Sequence, residues 1–393
     1  MRAPLIRHLA LYNFLSYGQR GVSLDLLPLN VLIGPNASGK SNLLESLSVL
    51  RAAAGDLQSA IREGGGIGEY LWKGGGRVGG APAHIAAQIT LPASGDWLVH
   101  RLGLTQLGGR LELATEYVGI DADNEIEPLG IYLFQSGTAE VRPGRKSAGD
   151  SRQLEDLKSS QSVLSQRRDP ERFPEITFLA EQYGSISLFQ EWNFGRRTLA
   201  RLPQPTDLPS DFLLPDASNL GLVLHDISQT SAGRDELMEY LRRFYEPARY
   251  ISTKIQGGTL QLFIEEEGAR LIPATRLSDG TLRYLCLLAI LCHPNPPPVI
   301  GIEEPELGLH PDILPTIAEL LRKASERTQL FVTTHSDALV SALSDTPESI
   351  LVCEATPDGT TMKRLEAEPL REWLEKYSLG EIWRMGEIGG NRW

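Results

Sequence analysis

Residues Leu29–Asn42 read LNVLIGPNASGKSN. A short apolar run ends in glycine, and Gly34 to Ser41 then fits G-x-x-x-x-G-K-[ST] at every defined position. The residues after it predict a helix from Lys40 to about Ala54, closed by Gly55. Strand, glycine-bearing turn and helix in that order make a phosphate cradle. Gly34 and Gly39 permit the backbone turns that aim successive N–H groups inward. Those donors and the helix dipole hold a β-phosphate, with Pro35, Asn36, Ala37 and Ser38 supplying the rest of the loop. Lys40 reaches the β- and γ-oxygens, Ser41 ligates Mg2+, and Asn42 continues the helix. A plain strand-to-helix turn would not need the complete motif in this context.

A second stretch supplies acids. PPPVIGIEEPELGLHPD places Glu303 and Glu304 just after an apolar strand, at the end where open α/β sheets place their ligands. Side chains alternate along a strand, so two adjacent acids can take two roles. Glu303 is placed for Mg2+ or its water shell, and Glu304 for orienting an attacking water. An exposed acidic turn is the competing reading, and the phosphate loop in the same chain decides against it. LFVTTHSDAL ends another strand at His335. A lone histidine is more often structural, but this one follows a strand expected beside the acidic one, where it can contact a γ-phosphate or the water. In ATRLSDGTLRYLCLLAILCHP, Ser278 caps a long apolar helix that His293-Pro294 stops.

Composition is that of a soluble globular protein: 393 residues, 41% hydrophobic and 22% charged. The N-terminus lacks the features of a secretory signal, and no apolar run reaches the roughly 18 residues of a membrane span. Three widely spaced cysteines, Cys286, Cys292 and Cys353, suit neither a disulfide framework nor a zinc site and fit a reducing cytoplasm. A net charge of -12 does not advertise a nucleic-acid binder, so any DNA contact falls to a local patch.

Along the chain, a glycine-rich stretch near 63–80 precedes three strand candidates, AHIAAQITL, WLVHRLGL and LELATEYVGI, which predict an antiparallel sheet. Residues 136–172 are polar, with basic clusters at Arg142, Arg145, Lys146 and Arg167-Arg168, and read as a solvated loop rather than a DNA patch. Helices are expected at 174–182, 218–229 and 234–245, and a hairpin about Gly257-Gly258. From Leu277 onward, helix and strand alternate as in a parallel α/β sheet.

Taken together, these motifs resemble the ABC-type ATPases of the SMC, RecF and OLD-like group. The resemblance covers about 1–55 and 270–355, including the opening LYNFLSYGQRGVSLDLLPLNVLIGPNASGKSN. It implies an α/β P-loop head with a mixed sheet and an antiparallel β lobe, plus an α+β insertion. The head is then 1–58 with 270–393, and the β lobe with a helical insertion is 59–269, with a flexible polar segment near 136–172. Ser278 and Gly280 match the ABC signature, with Asp279 and Thr281 in place of its usual Gly and Gln. Glu304 matches the catalytic glutamate and His335 the switch histidine. ELGLHP takes the D-loop position, where His310 replaces the usual Asp. The Q-loop glutamine, a metal ligand, is Gln161 or Gln166.

OLD-like nucleases carry a C-terminal Toprim domain with clustered acids, but the residues after Glu354 hold a single Asp, Asp358, and no D-x-D. No nuclease is therefore expected in this chain, and no long heptad run supplies an SMC arm. The resemblance implies a homodimer that closes on ATP and Mg2+, each protomer offering Ser278 to its partner's nucleotide. Output passes to DNA or to a separately encoded effector such as a nuclease, in DNA repair or phage defence. A non-turnover, ATP-gated regulator is the first alternative. A transporter subunit is disfavoured by the insertion and Glu303, and a GTPase by the missing N-K-x-D motif.

Overall fold

The computed structural model describes residues 4–74, 81–91, 95–121, 129–135, 138–141, 153–155 and 157–390. The chain forms two compact units, each assembled from separated pieces of sequence. One is Arg2–Ile186, Glu348–Leu365 and Ile388–Trp393; the other is Met1, Ser187–Pro347 and Glu366–Glu387.

In the first unit, β1 (Ile6–Tyr12), β2 (Val22–Asp25), β4 (Ala83–Thr90), β5 (Trp97–Leu107), β6 (Arg110–Asp121), β7 (Leu129–Gln135), β8 (Thr138–Val141) and β9 (Gln153–Glu155) form an antiparallel sheet in the order β2-β1-β4-β5-β6-β7-β8-β9. β4 alternates strictly, burying Ala83, Ile85, Ala87 and Ile89, as a one-sided sheet requires. β1 pairs with both β2 and β4, so the N-terminal strands belong to the same hydrogen-bonded sheet as residues 83–155. That places residues 59–186 with the N-terminal segment and divides the chain elsewhere than at 58/59 and 269/270.

The second element of this unit is the strand before the phosphate loop, β3 (Leu29–Ile33). It is buried along its whole length and lies parallel to β17 (Ile350–Thr356), with Ile350 opposite Val31 and Val352 opposite Ile33. β18 (Gly359–Arg364) returns antiparallel to β17. Helix α1 (Lys40–Ala53) follows the loop, and α2 (Leu57–Glu63), α3 (Ile67–Tyr70), α4 (Val163–Gln166) and α5 (Pro174–Gly184) complete the unit.

The segment at 136–172 departs from the expected solvated loop. It contributes β8, β9 and α4, and Ser162, Val163 and Leu164 are fully buried. The cause is Glu116, a wholly buried carboxylate on β6. It accepts hydrogen bonds from the Ser162 hydroxyl and from Val163 N at 2.9 Å, and His100 Nε2 lies 3.2 Å away. A buried carboxylate needs such donors, so it pins the polar segment to the sheet. Arg142, Arg145 and Lys146 lie outside the described residues.

In the other unit, β10 (Ser187–Phe189), β15 (Val299–Glu303) and β16 (Gln329–Thr333) run parallel, with β15 central. A separate sheet combines β11 (Gln204–Pro205), β12 (Ala248–Gln256), β13 (Thr259–Glu266) and β14 (Arg270–Pro273), its β12–β13 hairpin turning at Gly257-Gly258. Helices α6 (Leu220–Ile227) and α7 (Ser231–Phe244) precede α8 (Asp279–Leu291), which is buried from Leu282 through Leu291. Then come α9 (Leu314–Ser325), α10 (Asp337–Ser341), α11 (Ala367–Leu374) and α12 (Leu379–Met385). Gly380 of α12 is so close to α10 that an added Cβ would meet Asp337 O at 2.1 Å. Among the described residues, no helix is long and apolar enough to cross a membrane.

Candidate functional site

The phosphate loop is held in a conformation that its sequence permits and its neighbours enforce. Gly34 and Gly39 have φ values of 147° and 93°, and Ala37 at the exposed tip is also left-handed, with φ 63°. A Cβ on Gly34 would stand 2.2 Å from the Cys353 carbonyl oxygen, and one on Gly39 would stand 2.4 Å from Thr360 Oγ1. Only glycine satisfies both the dihedral and the space. Gly39 is also the N-cap of α1 and has no side chain to offer the first-turn N–H groups. Asn36 and Ala37 of the loop are exposed, as is Ser41 at the second helical position.

Lys40 is nearly buried, and its Nζ donates to the carbonyls of Gly34 and Pro35, each at 2.9 Å. The ammonium is thus held over the loop by the loop's own backbone. Ser38 is fully buried and its hydroxyl oxygen has no hydrogen-bond partner. A buried hydroxyl without a partner is rare, and this one backs the turn at Gly34, where an added Cβ would stand 2.9 Å from Ser38 Oγ. Burial pushes the nearby Cys353 thiol up to about 12, with Lys40 opposing the shift.

A brace that the sequence motifs did not single out stands behind the loop. Tyr17, fully buried, donates its hydroxyl to Gly39 O at 2.9 Å. Burial keeps that phenol neutral, raising it well above the usual tyrosine value. Ser16 Oγ accepts from Asn42 Nδ2 at 2.7 Å and from Thr360 Oγ1 at 2.8 Å. Asn42 therefore fixes α1 to the segment before β2 with its amide nitrogen. Gln166 is engaged in its own turn, accepting from Lys158 N at 2.9 Å and donating to Lys158 O and Gln161 O. Gln161 donates its backbone N–H to Lys158 O in the same turn.

The acids, His335 and the Ser278 cap all belong to the other unit. β15 ends at Glu303, and Glu304 follows in a left-handed conformation with φ 45°, rare for a residue with a side chain. Its N–H donates to Thr333 O at 3.0 Å, and its carbonyl accepts from Arg283 Nη2 at 3.0 Å. Trp192 Nε1 donates to Glu303 O at 2.9 Å, and Arg283 lies 4.8 Å from the centre of that indole. Tryptophan and arginine together clamp the two glutamates by their backbone, leaving both carboxylates half-buried. Burial lowers Arg283 to about 10, while Glu306 and Glu304 act to keep it charged.

His335 Nε2 lies 3.6 Å from Glu304 Oε1, close enough for an ion pair but long for a hydrogen bond. Glu306 orients the histidine's loop. Its Oε1 accepts from Thr334 Oγ1 at 2.6 Å and from His335 N at 3.0 Å, and its Oε2 is buried without a partner. Among the described residues, no group of three or more His, Cys, Asp or Glu forms a metal cage. A magnesium site built from one or two side chains plus phosphate oxygens is the type these residues suit.

Ser278 caps α8 as its sequence predicts, with Oγ accepting from Thr281 N at 3.0 Å. Ser278 and Asp279 are exposed, and a Cβ on Gly280 would meet Gly308 O at 3.0 Å. The ELGLHP turn therefore packs directly beneath the cap. Leu307, in that turn, is 55% exposed, and His310 caps the next short helix, accepting from Asp312 N.

A P-loop before a helix, a strand ending in paired acids, a serine-capped helix and a histidine after the neighbouring strand are the features of an ABC-type P-loop fold. Solved structures bear out the fold. A Smc head bound to the C-winged helix domain of ScpA matches with a TM-score of 0.59 and 16% identity, covering 93% of this chain and 99% of that one. A Pyrococcus furiosus Smc head with an extended coiled coil, bound to the C-terminal domain of ScpA, matches with a TM-score of 0.59, 14% identity, and 95% and 99% coverage. A Pyrococcus yayanosii Smc head with a coiled coil and joint matches with a TM-score of 0.57, 12% identity and the same coverage. A comparison with curated proteins returns no match. Residues 29–89 and 100–341 match the family described as AAA domain, putative AbiEii toxin, Type IV TA system. The chain belongs to that family, and its fold is similar to that of Smc head domains.

Proposed function

We propose that this protein is an ATP-binding and hydrolysing dimeric switch. The observation that carries it is the exposed α8 N-terminus, which offers a second anion site in addition to the chain's own phosphate cradle. One protomer's loop from Gly34 to Asn42 binds ATP. The other presents Ser278, Asp279 and Gly280, with Leu307 of the ELGLHP turn on the same surface.

In this reading Lys40 binds the β- and γ-phosphate oxygens and the loop N–H groups bind the β-phosphate. Ser41 ligates Mg2+, Glu303 holds the ion or its water shell, and Gln161 or Gln166 reaches it when its turn rearranges. Bound Mg2+ supplies charge neutralisation on the phosphates. Glu304 orients the attacking water and accepts its proton, and His335 contacts the γ-phosphate or that water. ATP draws two heads together, and hydrolysis removes the bridging charge and releases them. The action is expected in the cytoplasm, without membrane insertion.

Mixing Lys40→Ala with Ser278→Arg protein tests the composite site. Each alone is inactive, and the heterodimer keeps one intact site and regains ATPase activity. Heterodimers that form yet remain inactive refute the trans arrangement or require both sites to fire together. Glu304→Gln is expected to trap an ATP-bound dimer on a sizing column.

A second reading, an ATP-gated regulator of a separately encoded effector, is favoured by Glu303 in place of the usual Asp and by His310 in the D-loop position. Two of the similar Smc heads are bound to ScpA domains, which supports a protein partner for this head. DNA repair and phage defence are the settings proposed for either version, with DNA or a nuclease receiving the signal. Tight ATP binding with turnover below detection would select this second version.

A further inference from the structure

Asp279 puts a carboxylate on the first residue of α8, where an arriving phosphate meets the helix dipole. Unpaired, that charge opposes the anion site that the dipole creates. The structure pairs it. Asp279, 68% exposed at its side chain, forms an ion pair with Arg201, whose side chain is 6% exposed. Arg201 is fixed from every side. Its Nη1 donates to Ala274 O at 3.2 Å and Leu277 O at 2.5 Å, its Nη2 to Phe194 O at 3.4 Å and to Asp279, and its Nε to Gly195 O at 3.2 Å. A guanidinium held by four backbone carbonyls is a preorganised countercharge rather than a mobile surface partner.

We propose that Arg201 is a positioning residue for the signature. It matches the charge of Asp279 from beneath and draws the carboxylate onto its own protomer. Ser278 and the first-turn N–H groups of α8 are then left to receive the phosphate of a nucleotide held by a second copy of the chain. The inference rests on the dimer reading and explains how that reading survives an acid in the signature.

The test compares Arg201→Gln, Arg201→Gln with Asp279→Asn, and Arg201→Lys with wild type. The readouts are kcat, ATP affinity of the isolated protomer and melting temperature. Arg201→Gln is expected to lower kcat about tenfold, the effect of one exposed like charge near a phosphate. ATP affinity at the P-loop should hold within about twofold, since that site needs no second copy. Adding Asp279→Asn restores most of kcat, because the opposing charge has gone. If the double variant stays as slow as Arg201→Gln, Arg201 serves only its carbonyls and the proposal is overturned.

Arg201→Lys guards against a folding failure. It keeps a charge for Asp279 but reaches fewer carbonyls, so kcat should persist while the melting temperature falls. A kcat that falls in step with melting overturns the proposal. Glu304→Gln protein run with ATP on a sizing column separates the two failures. No dimer there removes both readings, whereas a dimer without rescue removes this one alone.

Discussion

Replacing Glu304 by asparagine should stabilise the protein while abolishing its turnover. Glu304 is held at φ 45° by its N–H on Thr333 O and by Arg283 on its carbonyl. A left-handed residue with a Cβ costs roughly 1–2 kcal/mol, and asparagine tolerates the conformation better. The native backbone bonds do not involve the carboxylate, so they survive the change. Relief of about 0.5–1 kcal/mol is expected, worth about 1–4 °C in melting temperature for a unit of this size. Glycine relieves more strain but frees the unfolded chain, so its gain should be smaller. The assay is a thermal scan without nucleotide, paired with Mg·ATP turnover. A lower melting temperature for Glu304→Asn would show that the acid is not strained there. Retained turnover would show that the acid is not the group that orients water.

Tyr17→Phe removes one of the hydrogen bonds to Gly39 O, which as the N-cap carbonyl keeps its helix bond, so the cost is about 0.5–1.5 kcal/mol; calorimetry should show weaker ATP binding together with a lower melting temperature. Glu306→Gln keeps one acceptor oxygen but removes the charge beneath Thr334 and His335; single-turnover kinetics should show slower hydrolysis with ATP affinity kept. Glu116→Ala strands the donors of Ser162 and Val163 and should cost about 3–5 kcal/mol in denaturant titration. Burial raises the Cys353 thiol from 9.0 to about 12. Above about pH 9 the unfolded thiol ionises and the folded one does not. Stability should therefore fall by about 1.4 kcal/mol per pH unit for this thiol as pH rises toward 12, and Cys353→Ala should reduce that slope.

Local motifs made the phosphate loop readable, because Gly34, Gly39, Lys40 and the helix behind them lie within one continuous stretch. The same holds for the Ser278 cap, the β12–β13 hairpin and the parallel pair β15–β16, each announced by its own periodicity or turn residues. The contacts that no local stretch announces act across long sequence separations. Arg201 meets Asp279 from 78 residues away, and nothing near Arg201 marks it as different from the exposed Arg196 and Arg197. Tyr17 and Thr360 meet at the loop from opposite ends of the chain. Glu306 was visible in IEEPE, but only the fold shows that it orients His335 rather than the metal. Residues 157–166 looked soluble because their polarity answers a buried carboxylate on another strand. Burial of Glu116, not local composition, decides where that segment goes.

The pairing of β3 with β17 has a consequence for how the protein is made. The strand that launches the phosphate loop is synthesised long before its parallel neighbour, which sets Ile350 opposite Val31. The Cys353 carbonyl that crowds Gly34 and the Thr360 hydroxyl that crowds Gly39 arrive with it. Gly390 N closes the same unit on Glu354 Oε1 at 2.9 Å. Such long-range parallel pairing is slow and leaves apolar edges open while the chain waits. A nascent chain on the ribosome should therefore remain unable to hold nucleotide until β17 and β18 have emerged. ATP would then bind only to a finished head, which keeps truncated copies out of any nucleotide-dependent assembly.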